Sequence, residues 1–363
     1  MKTNHDIKLG VSLYSYQDQF YFKKHDLEGC ICAAADAGAE GIEVFPETMM
    51  PQWPYITDSF VDHYNGLMER YAIQTVCVDH FADRCMHKNK LLSDDELFHR
   101  SLWYIQLAAR LGAKYIRLMH SGHGGALVKD AKSGGMTEVE LISPALIERL
   151  LPVCAEHGVV MALECHSPTS IEDPVQQQYL EPGRKLGLEQ YVGLQVDFSS
   201  YEYRPSRAAV DSIVRGGGSE KFWNYYYDLK TRQYKEGFAL SKAELHREMH
   251  AMGGTAPIDE GNFGYLVNET MCGSLDYLAQ HASEVVYIHG KFHNLDENGQ
   301  VDSIDYPAVF DALKKGGYKG YICSEFEGNR YMNDLGEVDE IEFVRRHQIL
   351  MRNCLGYADW PEF

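Results

Sequence analysis

Residues 158–166 read Gly-Val-Val-Met-Ala-Leu-Glu-Cys-His, and the fold turns on this stretch. Gly158 follows the helix-period segment 141–157, at the place where a glycine in the left-handed conformation ends a helix. The apolar run 160–163 has the length of a buried strand and closes on Glu164, with His166 two places further on. The same unit recurs on both sides of it. Strand-like runs lie at 9–13, 41–44, 74–78, 115–119, 192–196, 285–288 and 320–324, and helix-period segments at 27–37, 58–71 and 94–111 separate the early ones. Gly38 and Gly112 stand where Gly158 does, just past a helix.

Strands that alternate with helices are parallel and joined by crossovers, and eight such units close a barrel. The expected class is therefore α/β, a (β/α)8 TIM barrel, with residues 1–363 as one domain. An open doubly wound sheet fits less well, because the turn 14–26 contains no glycine and so lacks the phosphate-cradling fingerprint of dinucleotide folds. The stretch 201–283, between the sixth and seventh strands, is far longer than the other connections and reads as an insertion. It holds Phe222, Trp223, Tyr225, Tyr226 and Tyr227. Two readings stand for it: a small packed subdomain or oligomer contact, and a lid over the barrel mouth that stacks on a ring-shaped ligand.

With 45% hydrophobic and 24% charged residues and no apolar run of bilayer-spanning length, neither a disordered chain nor a membrane span is expected. The 53 acidic and 34 basic side chains leave −19, which repels a phosphate backbone and argues against nucleic acid as a partner. Cys30 and Cys32, the closest of nine cysteines, have one residue between them, too few for the usual zinc spacing, so reduced thiols are expected. The first ten residues carry Lys2, His5, Asp6 and Lys8 and no signal-like apolar stretch, from which a cytoplasmic location is expected.

In such a barrel the chemistry gathers where strands end. The strand ends here carry Glu43, then Asp79 and His80, then His120 with His123 nearby, Glu164 with His166, Asp197, His289 with Lys291, and Glu325 with Glu327. Glu164, Asp197, His289 and Glu325 come from four successive strands and would face one axis. Three clustered carboxylates repel one another, and a divalent cation offsets that repulsion; an oxygen and nitrogen set without thiolate suits Mn²⁺, Mg²⁺, Co²⁺ or Zn²⁺. Glu327, His293 and Asp296 are competing ligands. Glu164 and Glu325 are the candidate base and acid, with His166 and His120 beside them. Lys291, His80 and Glu43 are the candidate substrate contacts, with Arg330 and Arg204 as weaker ones of the same kind.

Gly-Ile-Glu-Val at 41–44, Ala-Leu-Glu-Cys-His at 162–166, Val-Asp at 196–197, Ile-His-Gly-Lys at 288–291 and Gly-Gly-Tyr-Lys-Gly-Tyr at 316–321 running into Ser-Glu at 324–325 occur in that order. Together they resemble the sugar phosphate isomerase/epimerase family, the xylose-isomerase-like TIM barrels, over most of the chain. The resemblance implies a divalent metal, often manganese, held by Glu164, Asp197, His289 and Glu325. It departs at Ser200, where the family often has His, and at Phe292, where its His-x-Lys-Asp pattern has Asp. The long insertion and the acidic region 325–342 are also similar to the α subunits of C-glycoside deglycosidases, which cleave a carbon–carbon bond between a 3-oxo sugar and an aromatic aglycone. That likeness implies a small sugar or glycoside as substrate, and a smaller second subunit or a homo-oligomer as partner.

The expected chemistry is removal of a proton next to a sugar carbonyl through an enediolate, which a Lewis acid stabilises. Return of the proton gives an isomer or epimer, and loss of a β substituent gives an elimination. One competing class is a phosphodiesterase resembling apurinic endonucleases. Ser200, the missing Asp-x-His after the seventh strand and the net charge speak against it. A noncatalytic metal-binding barrel is the other.

Overall fold

The computed structural model describes residues 6–82, 84, 90–119, 127–129, 136–138 and 142–357. Eight parallel strands close into a barrel: β1 Ile7–Ser12, β2 Gly41–Val44, β3 Gln74–His80, β4 Tyr115–Met119, β5 Val160–Cys165, β6 Val192–Asp197, β7 Val285–Phe292 and β8 Gly320–Phe326. Each strand pairs with its sequence neighbours, and β8 pairs with β1 to complete the ring. The expected (β/α)8 class is the observed one. A short antiparallel pair, Leu127–Lys129 with Met136–Glu138, lies between β4 and β5.

Side-chain oxygens start the expected helices: Asp26, Thr57, Ser93 and Ser143 accept from backbone N–H groups in the first turns of Leu27–Asp36, Asp58–Tyr71, Asp94–Arg110 and Pro144–His157. Past three of those helices Gly38, Gly112 and Gly158 take φ of 82°, 69° and 68°, the conformation that makes glycine a terminator. The main core lies between barrel and helices. Inside the barrel the lower layer is apolar, with Val76, Cys77, Tyr115, Val160, Ala162, Tyr287 and Cys323 in one cluster and the rings of Tyr115 and Tyr287 stacked at 5.6 Å.

Strand alternation then carries the inner face upward from apolar to charged. On β7, Tyr287 is followed inward by His289 and Lys291, and on β8, Cys323 by Glu325. Register aligns these layers, with Cys323 opposite His289, Glu325 opposite Lys291, and Asp197 opposite His289.

Between β6 and β7 the chain forms helices Arg207–Arg215, Glu220–Glu236, Lys242–Ala251, Pro257–Glu269 and Leu275–His281. Phe222, Trp223 and Tyr226 are buried in a cluster of their own with Leu245, Met249 and Phe263. Asp259 ties it together by accepting from Trp223 Nε1 and the Ser219 N–H, both at 2.8 Å. Stacking on a ligand, one role weighed for the aromatic run, is closed to these three buried rings. Arg204 likewise serves packing, since its Nε donates to the Asp302 carbonyl at 2.6 Å and its guanidinium lies 4.1 Å over the Tyr227 ring.

Candidate metal centre

Four strands deliver one polar cluster. His289 Nδ1 stands 3.2 Å from Glu164 Oε1, 3.1 Å from Glu325 Oε2 and 3.8 Å from Asp197 Oδ2. All four atoms are buried, and Lys291 Nζ lies near two of them, Glu325 Oε2 at 2.7 Å and Asp197 Oδ2 at 3.3 Å. Buried polar atoms ordinarily find hydrogen-bond partners, and Glu164 Oε1 and His289 Nδ1 have none among the described residues while facing two further carboxylate oxygens, which marks a place for a further group. Donor atoms of Glu164, Asp197 and His289 lie within 4.8 Å of one another, a spacing that fits a shared cation. Glu325 is nearby but is also 2.7 Å from Lys291 Nζ. The donor set is oxygen and imidazole nitrogen without thiolate, which fits a hard or borderline divalent ion.

The surroundings orient these groups. His289 Nε2 donates to Glu43 Oε2 at 2.6 Å, and the Tyr287 hydroxyl donates to the same oxygen at 3.1 Å. A carboxylate only accepts, so the proton belongs on Nε2 and Nδ1 faces the centre. Glu43, expected as a substrate contact, sits behind His289 instead, fully buried. Asp197 Oδ1 accepts from the Ser199 N–H at 2.7 Å, which aims Oδ2 inward.

Two buried cations share the cluster. Arg117, in the middle of β4, donates to Asp79 Oδ1 at 2.8 Å and to Glu164 Oε2. Lys291 lies 3.3 Å from Asp197 Oδ2 and 3.0 Å from Glu327 Oε1 as well as beside Glu325. Burial opposes ionisation of Glu164 and Glu325, but Arg117 for the first and His289 with Lys291 for the second hold both carboxylates below their usual range. Burial, aided by Glu325 and Glu164 against the pull of Lys291, pushes Asp197 up to about 8. Lys291, expected as a substrate contact, is tied to three carboxylates and also lines the pocket above the cluster.

Above the cluster a narrow pocket is lined by His166, Glu202, Tyr265, His293, Glu327 and Tyr331. His166 Nδ1 donates to the Ser167 carbonyl at 2.6 Å, and its Nε2 faces Asp197 Oδ2 at 4.0 Å. His293 Nδ1 is 3.1 Å from Glu202 Oε1, which also accepts from Ser303 at 3.0 Å. Arg330, expected as a substrate contact, pairs with Glu327, which lines this pocket.

Other expectations fall away or lie out of view. His80 points outward, 2.9 Å from Ser101 Oγ and stacked on Tyr104 at 3.7 Å, with burial pushing its pKa down to about 3; it does not reach the mouth. Asp296, a competing ligand, closes a turn by accepting from the N–H groups of Asn298 and Gln300, each at 2.8 Å. Glu327 and His293 stand in the pocket rim, one paired with Lys291 and Arg330, the other with Glu202. His120 and His123 lie outside the described residues. Arg117, Glu202, Tyr265 and Tyr331 were not singled out from sequence. Only Arg117 left a signal, a lone charge inside an apolar strand.

Residues 31–214 match the xylose isomerase-like TIM barrel family, and the chain belongs to that family. It is 26% identical over 371 residues, 98% of this chain and 94% of the relative, to the C-glycoside deglycosidase alpha subunit of Arthrobacter globiformis. A protein of the same name from Microbacterium trichothecenolyticum is 27% identical over 349 residues, 93% of this chain and 89% of that one. In fold the chain also resembles the solved 3-keto-D-glucoside 4-epimerase from E. coli, with a TM-score of 0.51 over 96% of this chain and all of the other, at 11% identity. Among the described residues no helix is long and apolar enough to cross a membrane.

Proposed function

We propose that this chain is the metal-dependent, carbohydrate-active subunit of a lyase of the C-glycoside deglycosidase type, acting on a 3-oxo glycoside. The observation that carries the proposal is the buried convergence of donor atoms from Glu164, Asp197 and His289 within 4.8 Å, with Glu325 Oε2 3.1 Å from His289 Nδ1; together the four would hold one divalent cation, Mn²⁺ before Mg²⁺, Co²⁺ or Zn²⁺. When bound, the cation would supply Lewis-acid stabilisation of negative charge on the sugar's carbonyl oxygen. The near full-length likeness to deglycosidase alpha subunits supports the substrate class and a smaller second subunit as partner.

The chain's own residues supply the proton transfers. Glu164 and Glu325, expected as base and acid, are held ionised in ion pairs, which suits ligands better than bases. His166 is better placed to take the proton next to the carbonyl: it lines the pocket above the cluster, and the Ser167 carbonyl keeps the imidazole proton on Nδ1. His293, oriented by Glu202, returns a proton to the departing aromatic carbon as the carbon–carbon bond β to the carbonyl breaks. The products are an unsaturated 3-oxo sugar and the protonated aglycone, so atoms and charge balance. Arg330 and Tyr331 at the rim contact the substrate.

The test follows solvent deuterium into ketoses, 3-oxo-glucosides and 3-oxo-C-glycosides, with metal content measured on the same protein. The proposal expects label beside the carbonyl of the 3-oxo sugars and release of aglycone. Exchange confined to ordinary ketoses would replace the lyase with an isomerase or epimerase.

A further inference from the structure

A second cluster lies on two helices of the 201–283 connection, with all three of its side chains partly exposed. His246 and His250 are one turn apart on the helix Lys242–Ala251, so both rings share a face, with centroids 4.3 Å apart. Glu260 reaches them from the helix Pro257–Glu269. Its two oxygens divide between the rings, Oε2 at 2.8 Å from His246 Nε2 and Oε1 at 2.6 Å from His250 Nε2. One donor atom from each of the three lies within 4.8 Å of the others. The His246 ring also packs edge-on against Phe263, itself buried, which holds its direction.

We propose that His246, His250 and Glu260 form a separate surface site for a zinc-like divalent cation. Two imidazoles and one carboxylate are a donor set for Zn²⁺, and a tetrahedral ion would keep its fourth position for water. Coordination replaces two imidazole–carboxylate hydrogen bonds with three metal bonds and needs little movement, since the donors already converge. All three side chains are partly exposed, so an ion enters without opening the fold. The cation bridges two helices, and the second of them also carries Tyr265 to the pocket above the barrel. Zinc here pins the segment that lines the mouth.

The test uses tag-free, metal-depleted full-length protein titrated with Zn²⁺ at micromolar concentration. The His246→Gln/His250→Gln double variant changes only surface side chains and is compared with wild type. Wild type binds one equivalent more than the double variant, whatever the barrel cluster holds, and zinc raises the melting temperature of wild type by more than that of the variant. Glu260→Gln retains the two imidazoles and weakens binding by about tenfold or more. Equal stoichiometry and equal thermal shift in wild type and double variant overturn the proposal.

Discussion

His289 has two nitrogens with different duties: Nε2 donates to Glu43, and Nδ1 faces the three carboxylates. Glu43 therefore acts through the histidine, and its loss should be felt as loosened metal binding while the lower barrel layer remains packed. Glu43→Gln is expected to weaken Mn²⁺ binding about 10- to 100-fold, as for other groups that orient metal-bound histidines. Calorimetric titration measures this, and unchanged affinity contradicts the orienting role. A second buried carboxyl makes a pH prediction. Glu340 accepts from the Gln19 N–H and from Asn329 Nδ2, both at 3.1 Å, and burial pushes it from 4.5 up to about 8. A folded pKa above the unfolded one means its contribution is fully present below pH 4.5 and is lost as pH rises toward 8. Glu340→Gln should flatten the stability profile across that window, by at most about 1.4 kcal/mol per pH unit. Urea midpoints at several pH values read the slope, and parallel profiles for variant and wild type contradict it.

At the level of elements, the strand order and most helix starts were legible because period, caps and terminal glycines agree. The strand ends were less so. The apolar run 160–163 stops short of the observed Val160–Cys165, since Glu164 belongs to the strand and points at Arg117 inside the barrel. Apolar patterning cannot register a charge whose partner sits on another strand. The face of His80 was misjudged for a related reason: it follows the inward Asp79 by one residue, and one residue turns a side chain to the other side of a strand. The insertion was legible as an insertion, yet its mouth-facing ring is Tyr265, on a helix whose sequence bears no marked apolar stripe. If Tyr265 stacks on an aromatic aglycone, Tyr265→Ala should raise KM about 2- to 10-fold for an aryl 3-oxo-C-glycoside. The same change should leave KM for a small alkyl glycoside close to wild type. Equal effects on both substrates contradict stacking.

Over the whole molecule the net charge is −19, and a cluster of carboxylates lies buried inside the barrel. Glu43, Asp79, Glu164, Asp197 and Glu325 are buried there, with Glu327 just above them at the rim and Arg117 and Lys291 among them as basic partners. Such a concentration of charge away from water is costly unless it is compensated, and the proposed divalent cation would complete the compensation that two basic side chains begin. Manganese binding followed by electron paramagnetic resonance on metal-depleted protein tests this most directly, because Mn²⁺ favours the carboxylate-rich centre over the surface histidines. One tight Mn²⁺ site is expected in wild type and none in Asp197→Asn/His289→Gln. Tight binding that survives in the double variant, or no tight site in wild type, contradicts a metal centre built from these four strands.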